Sequence, residues 1–188
     1  MEYNHYFHYL SNRKKVARAY LRLLVYPRIN RHLMGETLDV GCGVGDFLEF
    51  RPGSVGVDVN PLLVKHCRDR GLTVYPMPYD VLPFADNSFD SAVLDNVLEH
   101  ILEPAHLIRE IKRVVRPHGI LVVGVPGEKG FLHDPDHKVF YDLDRLTSTF
   151  GACDFKFLTV FGTPFYWGKL SKIVRQYCIY CVLENSHR

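Results

Sequence analysis

The 188 residues predict an α/β fold: one mostly parallel sheet with helices on both faces. Two local observations carry this reading. From residue 37 onward, short apolar strands alternate with helix-length segments, and the first strand runs straight into the turn Gly41-Cys42-Gly43-Val44-Gly45. The bulk agrees. A chain 47% hydrophobic and 23% charged has the composition of an ordinary globular protein, and this length suits one domain with one sizeable core.

The elements follow in order. Residues 1–34 read as a helical preface, with Ser11 or Asn12 able to cap. Val16, Tyr20, Leu23 and Leu24 fall near helical spacing before Pro27 ends or kinks the run. Strands are expected at 37–41, 54–59, 73–77, 89–95 and 120–125, the fourth buried on both faces. Only a brief helical turn fits before Pro52. A fuller helix starts after Asn60, a capping residue followed by Pro61 at a position where its missing N–H costs nothing. Another begins near Pro104, with Leu107, Ile108, Ile111, Val114 and Val115 on one side, and is expected to stop at Gly119 as a left-handed cap. A short helix over 142–150 precedes two further strands, 155–161 and 178–183, close enough in sequence to pair antiparallel.

Several function classes are disfavoured at this level. No apolar run reaches the ~20 residues that span a bilayer, and Met1 to Leu10 lack the basic-then-apolar pattern of a signal peptide, so no membrane insertion is expected. Five cysteines are an odd number. Cys178 and Cys181 form the one C-x-x-C pair, with no partner ligands in evidence, and read as two buried thiols on one strand; a reducing, cytoplasmic setting follows. The formal charge of +2 is too small to imply nucleic acid. Arg13 to Arg31 is nonetheless basic without an acid, which reads first as the solvated face of a helix.

The chemistry-bearing residues cluster at expected strand ends. Glycines at 41, 43 and 45 let the backbone turn tightly and leave room for a ligand against the main chain. Their G-x-G-x-G spacing departs from the dinucleotide pattern G-x-G-x-x-G. Asp58 ends the second strand, where a carboxylate can accept both hydroxyls of a ribose, with Val59 beside it. Asp80 follows the third strand and can accept from an exocyclic amine while the Val81 N–H donates to a ring nitrogen.

Taken together, Leu-Asp-Val-Gly-Cys-Gly-Val-Gly, Val-Gly-Val-Asp-Val-Asn, Asp-Val-Leu-Pro-Phe-Ala-Asp-Asn-Ser-Phe-Asp, Val-Leu-Glu-His and Glu-Ile-Lys-Arg-Val-Val-Arg-Pro-His-Gly resemble the ordered motifs of class I S-adenosylmethionine-dependent methyltransferases, nearest their small-molecule branch. The resemblance covers roughly residues 36–162. It implies a Rossmann-like seven-stranded sheet in the order 3-2-1-4-5-7-6 with the last strand antiparallel. Residues 35–188 would form the methyltransferase domain, and 1–34 a cap over its active site. It also implies S-adenosylmethionine over Gly41, Gly43 and Gly45, Asp58 on the ribose, Asp80 and Val81 at the adenine, and Asp39, Asp95 and Asn96 toward the methionine end. The short link from Gly45 to Asp58 leaves a stunted first helix, and little room remains for a helix between the third and fourth strands.

A sulfonium methyl is already activated, so alignment is the main task, and a general base matters only for a poorly acidic acceptor. His100 and His137 are the catalytic candidates, with Glu99 and His133 nearby in sequence. Glu99, His100 and His137 also resemble metal ligands of the ubiquinone-pathway O-methyltransferases and of bacterial small-RNA 3′-terminal 2′-O-methyltransferases. Those subgroups carry a further Glu where this chain has Asn96, a poor ligand for a hard cation, so no metal is expected. Tyr3, Tyr6, Phe7 and Tyr9 with Phe165, Tyr166 and Trp167 could form an aromatic lid, suited to an apolar or ring-bearing small-molecule acceptor. The rival readings are an RNA or protein methyltransferase, favoured by the basic preface, and a non-catalytic cofactor-binding subunit. A nicotinamide dehydrogenase is disfavoured by the glycine spacing.

Overall fold

The structure, a computed structural model, describes residues 3–78, 80–166 and 169–186. Its centre is a seven-stranded sheet in the order β3-β2-β1-β4-β5-β7-β6, as the resemblance implies. The strands are β1 (Thr37–Val40), β2 (Val55–Asp58), β3 (Val74–Pro76), β4 (Phe89–Asp95), β5 (Val115–Pro126), β6 (Phe155–Thr163) and β7 (Cys178–Asn185). β1 to β5 pair in parallel, and β7 runs antiparallel to both β5 and β6. The chain order reverses between β1 and β4, so a crevice opens beyond their carboxyl ends.

One face of the sheet carries the larger core, where Leu38, Val40, Leu94 and Val123 pack with Leu107, Ile108 and Ile111 of α6 (Ala105–Val114) and with Leu146 and Phe150 of α8 (Leu143–Gly151). The other face, through Val93, Val122, Tyr180 and Val182, is covered by the preface. The preface consists of α1 (Tyr3–Ser11), α2 (Lys15–Tyr20), a wide π-turn over Leu21–Val25 and α3 (Tyr26–Asn30).

Sequence reasoning picks the wrong face of the preface. Val16 and Leu23 are 81% and 71% exposed, while Val25, Tyr26 and Ile29 are buried, with Tyr20 and Leu21 packed beside them. The wide turn inserts an extra residue per turn and rotates the buried stripe. Pro27 neither ends nor breaks the run, because it lies in the first turn of α3, where an N–H is not needed. Ser11 and Asn12 do not cap α2, which starts after Lys14 with no side-chain cap.

Gly119 is the second correction. α6 ends at Val114, and Val115 already belongs to β5, which bulges before it resumes pairing at Ile120. The left-handed residue is His118, at φ +64°. Gly119 is needed for another reason: a Cβ there would lie 2.8 Å from the carbonyl oxygens of both Arg116 and Asp90. Val114 and Val115 are both fully buried, and an apolar run alone does not tell helix from strand.

The stunted helix expected before Pro52 is α4 (Asp46–Phe50). Asn60 caps α5 (Pro61–Asp69) by accepting the Leu62 N–H at 3.0 Å. Among the described residues, no helix lies between β3 and β4.

Candidate active site

The glycine turn after β1 holds three left-handed residues, Gly41 (φ +76°), Gly43 (φ +56°) and Gly45 (φ +80°). A Cβ on Gly41 would stand 2.5 Å from Val97 Cγ2, so both space and conformation demand glycine. The turn is tied to β2 through Asp58, which is 5% exposed. Its Oδ2 accepts the Gly43 N–H at 2.9 Å and its Oδ1 the Asn60 N–H at 2.8 Å. Burial raises its pKa, and these backbone donors oppose the rise. A third backbone N–H, that of Val59, also acts on this carboxylate, and the acceptor capacity left over suits a ribose hydroxyl.

Two cavities flank this turn. The first, about 290 Å3, is lined by Asp58, Val59, Asn60, Met77, Ile101 and Leu107 among others. The second, about 320 Å3, takes in Asp39, Asp95 and Glu99 and reaches outward to Tyr20, Thr163 and Arg175. They meet at Tyr6, Gly41, Asn96 and His100, which line both.

Asp39 and Asp95 end neighbouring strands, β1 and β4. Burial, and then the nearby Asp95 carboxylate, push the Asp39 pKa well above the usual range. Burial lifts Asp95 to about 6, although Tyr180 and Asn96 lower it; the Asn96 Nδ2 donates to Asp95 Oδ1 at 2.9 Å. Gly124 on β5 makes room here, since a Cβ would approach Asp95 Oδ1 to 2.5 Å. A cation beside two buried acids with raised pKa values favours their ionised forms.

Past β4, Asn96 takes a left-handed conformation (φ +54°) and turns the chain into the single helical turn Leu98–His100. The Glu99 carbonyl then accepts the N–H groups of Lys138 (2.8 Å) and Val139 (3.1 Å). That stitch brings His137 to His100, with ring centroids 4.8 Å apart, edge to face. His137 Nδ1 lies 2.9 Å from the Phe131 carbonyl and His100 Nδ1 lies 3.3 Å from the Asp136 carbonyl. A carbonyl only accepts, so both Nδ1 atoms carry hydrogen and each ring turns its Nε2 away from that carbonyl; His137 Nε2 points toward Glu99 and Asp134, 3.7 and 4.0 Å away. Burial, and then His137, lower the His100 pKa and keep it neutral.

Glu99 is 1% exposed, and neither carboxyl oxygen has a hydrogen-bond partner. Oε1 lies 3.7 Å from His137 Nε2, too far for a bond. Burial lifts the Glu99 pKa to about 8. The ligand atoms of Glu99, His100 and His137 lie within 4.8 Å of one another and could hold a metal ion; Asn96 lies nearby at the junction of the cavities.

Other candidates stand farther off. Asp80 is half exposed, with Oδ2 3.3 Å from His106 Nδ1, and the Val81 N–H is donated to the Pro78 carbonyl at 2.8 Å. Neither lines a cavity; Met77 does. Tyr3, Tyr6 and Tyr9 line the cavities and Phe7 packs on His66, whereas Phe165 and Tyr166 are exposed and line neither; Trp167 lies outside the described residues. His133 lines the larger cavity, as do Thr163, which nothing local marks, and Tyr20 and Cys178, which sequence reasoning took as packing residues. Their shared cavity arises from β7 inserting between β5 and β6 and from the rotated preface.

Residues 38–123 match the family described as a methyltransferase domain. That segment, a little under half of the chain, is similar to a methyltransferase domain. A probable S-adenosylmethionine-dependent methyltransferase of Mycobacterium tuberculosis (strain H37Rv) is 33% identical over 138 residues, 66% of this chain and 50% of that protein. The tRNA (carboxymethyluridine(34)-5-O)-methyltransferase of Arabidopsis thaliana is 33% identical over 93 residues, 47% of this chain and 23% of that one. This chain thus spans half or less of the length of these relatives. A solved Thermotoga maritima structure, described as a SAM-dependent methyltransferase and possible histamine N-methyltransferase, has a TM-score of 0.78 over 98% of this chain and 100% of that chain at 20% identity, a likeness of fold.

The cofactor of the matched Mycobacterium tuberculosis relative is S-adenosylmethionine, and the residues of this site fit it. The buried Asp58 carboxylate suits a ribose hydroxyl, the Gly41 surface admits no Cβ, and the Asp39–Asp95 pair suits a cationic amino-acid end. No helix among the described residues is long and apolar enough to cross a membrane.

Proposed function

We infer that this chain transfers the methyl group of S-adenosylmethionine to a small-molecule acceptor held in the larger cavity. The observation that carries the reading is the junction of the two cavities at Tyr6, Gly41, Asn96 and His100, with Asp58 on one side and Glu99 and His137 beyond. Asp58, Val59 and the glycine turn would hold the nucleoside, Asp39, Asp95 and Asn96 the amino-acid end, and Asp80 and Val81 would contact adenine once their segment closes. The cofactor supplies an activated methyl on sulfur. The chain's residues align the acceptor and take its proton.

His137 is the preferred base: its ring is oriented by the Phe131 carbonyl on Nδ1, and its Nε2 faces the cavity side with Glu99 Oε1 and Asp134 Oδ2 3.7 and 4.0 Å away. His100 faces it and lines both cavities, a position suited to the same proton. The preface acts as a cap, with Leu10 packed on Val44 and Leu63 and the Asn60 Nδ2 donating to the Tyr3 carbonyl at 3.0 Å.

The test is calorimetric titration with S-adenosylmethionine and, separately, NADH. Micromolar binding of the first alone supports the reading, and binding of neither favours the non-catalytic subunit. His137→Ala is expected to cut turnover about 10²–10⁴-fold while sparing cofactor affinity. Unchanged turnover would remove His137 from the mechanism. The second reading, an RNA substrate, draws on the basic preface and the tRNA-modifying relative. A steep fall of RNA affinity with salt, absent for the small-molecule fraction, would favour it.

A further inference from the structure

The preface leaves an apolar stripe in water. Val16 in α2 and Leu23 and Leu24 in the π-turn lie about two turns apart on one continuous helical run, so they share a face, and all three are exposed. Cations flank them. From Tyr3 to Gly35 the chain has seven Lys and Arg residues and no acid. Arg13 and Arg18 lean on Asp46, at 3.3 and 3.8 Å, whereas Lys14, Lys15 and Arg22 are exposed and form no ion pair among the described residues. The loops after β5 and β6 repeat the pattern. Leu132, Phe165, Tyr166 and Ile173 are each more than half exposed, with Lys129, Lys172 and Arg175 among them in sequence. The two loops are tied, since Lys129 Nζ donates to the Ile173 carbonyl at 2.8 Å. Thr163 bonds the Tyr20 hydroxyl, which joins the end of α2 to the loop bearing Phe165 and Tyr166. The larger cavity is lined by both parties, through Arg13, Ala17 and Tyr20 on the preface and Gly130, His133 and Arg175 on the loops.

An apolar stripe at helical spacing normally faces a core, so one left bare and rimmed by cations marks a surface completed from outside the chain. A second copy is a poor fit, because a two-fold contact would set these cations against themselves. Nucleic acid would want rings on which bases stack, and the stripe on the preface is aliphatic. An anionic bilayer suits both features: aliphatic side chains enter the boundary between head groups and acyl chains, and Lys and Arg meet lipid phosphates. We propose that the preface stripe and the two loops dock on the surface of an anionic lipid bilayer, lying in the head-group layer without crossing it. The larger cavity then opens toward lipid, and an amphiphilic acceptor reaches it from the bilayer; that last step alone rests on the methyltransferase reading above.

Vesicle flotation tests this, with phosphatidylcholine alone and with phosphatidylcholine carrying about a third phosphatidylglycerol. The chain is expected to float with the anionic vesicles, less so as salt rises, and to stay behind with the neutral ones. Lys15→Ala with Arg22→Ala is expected to lower partitioning about 25-fold, about fivefold for each cation lost. Val16→Gln with Leu23→Gln is expected to lower it at least about tenfold with Tm unchanged, because both side chains already stand in water. Leu132→Gln with Ile173→Gln is expected to act in the same direction. Equal flotation with neutral vesicles, or flotation that survives these substitutions, would overturn the assignment. So would a chain that leaves anionic vesicles untouched: salt-sensitive binding of a labelled single-stranded RNA would then give the surface to nucleic acid, and a dimer in sedimentation that Val16→Gln with Leu23→Gln dissolves would give it to a second copy. Flotation needs no cofactor, so failure of S-adenosylmethionine to bind would overturn the proposed function and leave this test standing.

Discussion

At the scale of single residues, Asp58 and Glu99 make opposite use of burial. Asp58 is buried with a backbone donor on each oxygen, so it can ionise and still serve a ligand. Asp58→Ala is expected to weaken S-adenosylmethionine at least tenfold in calorimetry, and unchanged affinity would refute the ribose contact. Glu99 is buried with only its own backbone N–H to oppose the rise and keeps its proton up to about pH 8, against an ordinary 4.5. Between those values the folded chain holds a proton that the unfolded chain has lost, so stability falls as pH rises through the window. Asp39 and Asp95, also raised, pull the same way toward its acid end. Melting curves from pH 5 to 8 should therefore show a declining Tm, with a shallower slope in Glu99→Gln. A flat wild-type profile would show that Glu99 already has a cationic partner in solution.

At the scale of elements, α5 ties the glycine turn to the preface through one residue. Asn60 caps α5 through Oδ1, donates through Nδ2 to the Tyr3 carbonyl, and gives its own N–H to Asp58. Asn60→Ala keeps only the last of these. Losing a cap costs about 1 kcal/mol, or about 2–4 °C of Tm at this chain length. The same change should weaken cofactor binding by loosening α1, whereas Asn60→Asp should restore the cap alone. Asn60 and Pro61 were legible in sequence because a cap is a local device. The end of α6 was not: Gly119 answers to Asp90 on a neighbouring strand, a contact that no local pattern carries.

At the scale of the whole molecule, the site is a seam between the carboxyl ends of β1 and β4, the glycine turn and the preface. A ligand that fills such a seam binds the folded chain alone and stabilises it by mass action. S-adenosylmethionine at about 100 times its Kd should add about 2.7 kcal/mol, a rise of about 5–10 °C in Tm. No shift at that concentration would mean that the cradle does not bind the cofactor. The shift should fall to about half or less in Asp58→Ala, which separates specific binding from a general solvent effect.

The sequence alone determined the strand and helix alternation, the glycine turn, Asp58 at the end of β2 and the Asn60 cap, because each depends on spacing or backbone conformation within a few residues. It also marked His100 and His137 as candidates, through motifs on either side of β5. Only the tertiary structure decided that they meet, since the Glu99 carbonyl must first pair with Lys138 and Val139. It also decided which face of the preface is buried, that Asp80 and Val81 stand off the cavity, and that Tyr20, Thr163 and Cys178 share one wall. These are consequences of packing between segments remote in the chain, and a one-dimensional pattern carries no record of which surfaces will face each other.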